Sequence, residues 1–332
     1  MYSIALVIVC VLATAIGQPT IHYEFKEEWQ LWKNQHSKSY QTELEELEKH
    51  LVWLSNKKYI ELHNANADTF GFSLAMNHLG DMTDYEYQEK YLTYQNSNSK
   101  SGNYTKVFQR EPWMTDPETV DWRTKGAVTN IKNQGDCGAS YAFSAMGALE
   151  GASALATGKL IPLSEQNIID CSVPYGNHGC KGGNMYIAFK YVIANDGVDS
   201  ETSYPYGGKQ SSCTYKTQNS VASMSGSIQI KYGSETDLEA AVANNGPVAV
   251  AIDGSSNAFR FYFSGVYDSS RCSSSYLNHA MVITGYGISG DQEYWLAKNS
   301  WGTNWGEEGY VKMARNKYNQ CGIASDASFP SL

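Results

Sequence analysis

Seven cysteines divide this chain of 332 residues unevenly, and no other feature limits its fold as much. Cys10 stands alone near the start. The other six, Cys137, Cys171, Cys180, Cys213, Cys272 and Cys321, all lie in the second part. In a secreted protein an odd count means a free reactive thiol or a bridge to another chain, unless one cysteine is removed. Residues Ile4 to Ile16 are an apolar run that leaves through Ala15-Ile16-Gly17 into Gln18-Pro19-Thr20. A span needs about 20 such residues, so this run is too short to cross a bilayer and predicts a cleaved secretory signal over residues 1–17. Its start, Met1-Tyr2-Ser3, lacks the usual basic side chains. Cys10 would leave with it. No later stretch is apolar for long enough to span a membrane, so a secreted, extracellular protein without a membrane partner is expected. The remaining six cysteines form no Cys-x-x-Cys pair. That argues for three disulfides and against a metal site, although spacing alone leaves the pairing open.

With 42% hydrophobic and 18% charged residues the chain is expected to fold, and its length exceeds one ordinary domain. The net charge of -9 argues against a nucleic-acid-binding face. Residues 18–112 contain no cysteine. Within them Glu45, Lys49, Trp53, Asn56, Ile60 and Asn64 recur at helical spacing and share one helix face. Gln95 through Asn103 is rich in Ser, Asn and Gly and predicts an exposed linker. It contains the sequon Asn103-Tyr104-Thr105, either glycosylated or unused. Beyond it, helices are expected at Ser140–Thr157, at Ser164–Asp170 with Ser164 as N-cap, and at Met185–Asn195 closed by Gly197. Strand-like runs follow at 248–252, 280–284 and 294–298. This is an α+β pattern with helices and strands partly segregated. A propeptide over 18–112, cut near Glu111–Pro117, would precede a processed domain at 113–332.

Three segments carry chemistry: Asn133 through Ser144, Leu277-Asn278-His279-Ala280, and Lys298-Asn299-Ser300-Trp301-Gly302. Ser140 opens an apolar helix, where unpaired backbone N–H groups can hold an oxyanion, and Gln134 can add a side-chain donor. His279 would take the Ser140 proton, and Asn299 would orient the imidazole.

These segments resemble the papain and cathepsin L family of cysteine peptidases over nearly everything from residue 24 onward. Glu45–Asn64 resembles that family's ERFNIN propeptide helix, with Lys49 for the usual Arg and Trp53 for the common Phe. Ala75 through Asp81 resembles its GNFD segment, and Gly179-Cys180-Lys181-Gly182-Gly183 and Asn299-Ser300-Trp301-Gly302 are also typical. The resemblance implies a papain-like two-subdomain fold: a helical subdomain, a β-barrel-like subdomain and the active-site cleft between them, behind a helical inhibitory propeptide. It implies the bridges Cys137–Cys180, Cys171–Cys213 and Cys272–Cys321, and no cofactor. It also matches Asn184, Met185 and Asp326 to the pocket for the second residue upstream of the cut. Asn184 and Asp326 would either turn that pocket away from bulky apolar side chains or reflect drift in an unused pocket.

The departures are concentrated at the nucleophile. Ser140 stands where that family has its reactive Cys, with Ala139 for the more usual Ser and Tyr141 for Trp. A thiol of pKa near ~8.5 ionises readily beside a His, whereas a serine hydroxyl must lose its proton during attack, so His279 has to be neutral. A papain-like body with this Ser resembles the silicateins, silica-forming members of the family found in sponge spicules. So does the cluster Ser269, Ser270, Ser273, Ser274 and Ser275 around Arg271 and Cys272. That cluster is either a hydroxyl-rich surface loop or a silanol-binding surface. The resemblance implies silicic acid or silicon alkoxides as substrate and self-assembly into axial filaments with itself or related silicateins. The alternatives are a non-catalytic silica template and a weak or inactive peptidase homologue.

Overall fold

The computed structural model describes residues 25–96 and 106–332. The expected signal with Cys10 and the sequon at Asn103 lie outside them.

The N-terminal unit contains α1 (Lys26–Gln35), α2 (Glu43–Asn64), a short α3 (Ala67–Phe70), β1 (Phe72–Leu74) and α4 (Asp84–Tyr91), with β2 (Lys106–Phe108) further on. Thr42 starts α2 by accepting the Glu45 N–H, and Thr83 and Glu86 form a reciprocal capping box on α4. The expected face of α2 turns inward with Trp53, Asn56 and Ile60 buried. Trp53 meets Trp29 edge-on at 5.7 Å, and Trp29 stacks on Trp32 at 5.2 Å. These three indoles form the unit's own small core. Trp53→Ala should therefore cost the full chain about 3–5 kcal/mol in this unit. Hydrogen exchange of α1 and α2 should rise while α5 stays protected; unchanged protection in the tryptophan cluster would refute the assignment.

The body continues with β3 (Val120–Asp121), α5 (Ser140–Thr157), α6 (Glu165–Cys171), α7 (Met185–Ala194), β4 (Val198–Asp199), β5 (Ser220–Ala222) and β6 (Gly226–Ile230). It closes with α8 (Glu235–Asn245), β7 (Val248–Ile252), α9 (Asn257–Arg260), β8 (Tyr262–Tyr267), β9 (His279–Ser289), β10 (Gln292–Lys298), β11 (Tyr310–Ala314) and β12 (Ala327–Ser331). Ser164 caps α6 as expected, accepting the Asn167 N–H at 2.9 Å. Helix α7 ends at Ala194, a residue earlier than its expected end at Asn195, which caps it.

Strands run in the order β1-β8-β11-β10-β9-β7-β12-β6-β2, with β3 also on β9. One buried cluster fills this sheet; a second packs α5, α6 and α7 against β7 and β9. The α+β class and the two-subdomain arrangement are as expected. The three bridges Cys137–Cys180, Cys171–Cys213 and Cys272–Cys321 are those the resemblance implied.

The N-terminal unit is helical as expected, and it adds two short strands that the sequence did not reveal, β1 and β2, at the two ends of the sheet order. Such three-residue strands have no readable period of their own; they exist because distant β8 and β6 offer unpaired edges. Gln95 and Asn96 do not begin a free linker. Gln95 N–H donates to the Gly183 carbonyl at 2.9 Å, which ties the backbone to the body although both side chains are exposed.

Candidate active site

Ser140 is the first residue of α5 and His279 the first of β9, so each reactive group sits where an element enters the cleft. The Ala280 N–H donates to Ser140 Oγ at 3.3 Å. Asn299 follows β10, which pairs with β9, and this register brings its Oδ1 within 2.9 Å of His279 Nε2. Oδ1 also accepts the Ser300 N–H at 2.8 Å, which orients the amide. An amide oxygen only accepts, so Nε2 carries the proton and Nδ1 keeps its lone pair. Trp301 covers the pair, its ring 4.6 Å from the imidazole. Among the described residues Nδ1 has no hydrogen-bond partner. The expected Ser140–His279 hydrogen bond is thus not made in this closed form. A neutral hydroxyl and a neutral imidazole lack the attraction of a thiolate–imidazolium pair.

Gln134 is fully buried and held at both ends. Its Nε2 donates to the Cys137 carbonyl at 3.0 Å, while Oε1 accepts the Ser300 hydroxyl at 2.6 Å. Behind the site, Lys132 Nζ joins Glu150 at 2.8 Å and Glu165 at 2.6 Å. Burial pushes the Glu165 carboxyl up, against the attraction of Lys132. The sequence reading missed this charge cluster, because its members are far apart in the chain and each is unremarkable alone.

Ser140 and His279 are completely buried, because the N-terminal unit lies across the cleft. Thr93 Oγ1 donates to the Gly138 carbonyl at 2.9 Å, and Tyr94 N–H donates to the Asn278 carbonyl at 3.0 Å. A Cβ on Gly182 would come within 2.0 Å of the Thr93 carbonyl, so only glycine admits the segment at this depth. Burial drives the His279 pKa down to about 4, against smaller opposing contributions from Asn299 and the Tyr91 backbone. The ordinary value near ~6.5 therefore does not hold while the cleft is covered. The required neutral imidazole is present.

Asn184, Met185 and Asp326 do come together, and the space they line is occupied. The Tyr94 hydroxyl donates to Asp326 Oδ2 and accepts from Asn184 Nδ2 at 2.8 Å. The ring that fills this space carries a hydroxyl, and the two polar residues satisfy that one polar atom. Tyr94 was missed, because it sits at the edge of a polar stretch with no periodic pattern.

The serine cluster does not face Ser140 as one surface. Ser269 and Ser273 are half-buried and serve turns: Ser273 Oγ accepts the N–H groups of Ser275 and Tyr276 at 3.1 and 2.9 Å. Ser270, Ser274 and Ser275 are exposed. Ser269, Ser270 and Arg271 line a hollow against Tyr59, His63 and Phe70 of the N-terminal unit, and Ser269, Ser270 and Ser274 line another with Lys317 and Tyr318. Asp253 anchors the loop, accepting from Ser273 N–H at 2.7 Å and from Asn278 Nδ2 at 3.1 Å.

Residues 116–331 match the papain family of cysteine proteases, and residues 29–87 match the cathepsin propeptide inhibitor domain. A silicatein of Petrosia ficiformis is 49% identical over 93% of this chain and 95% of its own length. Procathepsin L of Mus musculus is 44% identical over 99% of both chains. Among solved structures, digestive procathepsin L 3 from the larval midgut of Tenebrio molitor superposes with a TM-score of 0.86 at 41% identity, over 93% of this chain and 99% of that one.

Proposed function

Because the chain belongs to the papain family and carries a cathepsin-type inhibitory propeptide, we propose that it is a secreted silicatein-type hydrolase made as an inactive proform. The observation that carries this reading is Ser140 in an otherwise complete site, with a neutral His279 whose Nδ1 lone pair is available. Its similarity to a silicatein supports the same reading, and the propeptide and disulfides suit a secreted or lysosomal protein.

After processing, Ser140 Oγ attacks the silicon of an alkoxide or silicic acid as its proton passes to His279 Nδ1. The Ser140 N–H and Gln134 Nε2 hold the negative oxygen of the five-coordinate intermediate. An alcohol or water leaves, taking the proton from His279, and a silyl ester remains on Ser140. Water or a second silanol then attacks the silicon. His279 takes its proton, the Si–O bond to Ser140 breaks, and the hydroxyl is restored. A silanol attacker leaves a new siloxane bond, so silica grows. Filament assembly with its own copies or related silicateins belongs to the same proposal.

The test is hydrolysis of a silicon alkoxide by the processed protein, its Ser140→Ala variant and a variant with Ser270, Ser274 and Ser275 changed to Ala. Catalysis at Ser140 predicts that only the first variant loses activity. A template predicts the reverse. Ser140→Cys adds a check on the residual-peptidase reading, which predicts recovered peptide cleavage.

A further inference from the structure

We infer that the outward face of α2 is a dimerisation surface of the proform, and that its occupant is a second copy of this chain lying antiparallel to it. Trp53, Asn56 and Ile60 turn inward, and the opposite side of the helix has a heptad spacing of its own. Leu44, Glu48, Leu51, Ser55, Lys58 and Leu62 follow one another at alternating steps of four and three, and all are exposed. Leu44 is 65% exposed, Leu51 57% and Leu62 63%. A surface helix ordinarily spends its apolar stripe on the core and keeps the far side polar. In α2 the core-facing stripe is already filled, and a second stripe of leucines is left over.

The order of the residues selects the partner. Reversing α2 about Trp53 brings Leu44 to Leu62 of the second copy, Glu48 to its Lys58 and Leu51 to its Ser55. A two-fold axis repeats each of these pairs, so the face is complementary to itself both in apolar character and in charge. Parallel helices would instead set Glu48 on Glu48 and Lys58 on Lys58, which is repulsive. The stripe from Leu44 to Leu62 is about 27 Å long at ~1.5 Å per residue, enough for the leucines at its two ends to close both ends of the seam. Leu62 also lines a hollow with Tyr59, His63 and Phe70, which gives Leu44 of the partner subunit a socket rather than a flat contact.

One helix pair of this length covers less surface than a standard stable interface, so the dimer is weak, with a Kd on the order of 10 μM. Helix α2 belongs to the N-terminal unit, which processing removes, so this dimer is a property of the proform alone. It rests on neither the chemistry of Ser140 nor the filament assembly of the processed protein.

The experiment is sedimentation equilibrium of the full chain at about pH 7.5, at concentrations up to the order of 100 μM. The wild-type chain should approach twice its monomer mass. Changing Leu44→Ala together with Leu62→Ala should weaken association roughly tenfold or more. Glu48→Lys alone and Lys58→Glu alone should each weaken it about tenfold, since each sets like charges opposite each other twice. Mixed in equal amounts, these two single variants should form a heterodimer nearly as tight as wild type. The double variant should recover the same affinity, because opposite charges then meet at every contact. That recovery also shows that the single variants are folded. A wild-type chain that stays monomeric, a dimer indifferent to the leucine changes, single charge variants that associate like wild type, or a mixture that does not recover each overturns the inference.

Discussion

Ser140→Ala, His279→Ala and the double variant should each lower silicon-ester hydrolysis by the processed protein about a thousandfold, and by nearly the same factor. The two residues act as one unit: without Nδ1 as base the hydroxyl stays protonated, and without the hydroxyl the base has no proton to take. Asn299 holds the imidazole with its proton on Nε2, so the unit depends on the 2.9 Å bond as well. Asn299→Ala should lie between wild type and the serine variant, because the wrong tautomer then competes. Rates of the two single variants that multiply in the double variant would contradict the mechanism. Retained activity in His279→Ala would remove the histidine from the chemistry altogether.

The second large effect is opening of the proform by acid. His279 and His78 are both driven down to about 4, chiefly by burial; Lys38 and His36 also push His78 down, against Asp81 and Asp136. His36 is lowered too, again chiefly by burial. An open state returns these imidazoles to water and to values near ~6.5. Between that value and about 4 the open state binds protons that the closed state does not. Closed-state stability therefore rises with pH and falls on acidification through this window, with nothing further gained above it. His279 and His78, fully rehydrated, each contribute on the order of 3 kcal/mol across the window. The protection of the backbone amides of residues 91–96 in the full chain, taken relative to the intrinsic exchange rate at each pH, should fall steeply from pH 7 to pH 4.5, and His78→Leu should flatten the dependence. A rate of opening independent of pH would show that the histidines are not what holds the proform shut. For the processed protein, activity should rise as His279 loses its proton, at a pH above the closed-form value because the cleft is then wet.

Much of this was legible because it depends on local pattern. The expected bounds of α5, Ser140–Thr157, are the observed ones, and 248–252 is β7, because apolar runs between turn residues need only be buried somewhere. Ser140, Asn299 and Gln134 were found as segment features; in the structure Asn299 bonds the imidazole, Ser140 accepts the N–H of the residue after His279, and Gln134 is tied to Ser300 beside Asn299. What was illegible has in common that its partner is far away in the chain. The strands β1 and β2 need β8 and β6. Asp326 is an ordinary acidic residue until Tyr94 arrives against it. The five loop serines look alike in the chain, yet two are spent on local turns and three reach solvent.

The amino-acid sequence by itself determined the family, the missing thiol and the identity of the oxygen that replaces it, since these are matters of which atoms are present. Only the tertiary structure decided which form of the site exists before processing. Packing of the N-terminal unit over β9 buries His279, and that burial outweighs its hydrogen bonds and keeps the imidazole neutral. The same packing places a phenol between Asp326 and Asn184. Desolvation and paired hydrogen bonds are properties of groups brought together, and no single stretch of chain contains them.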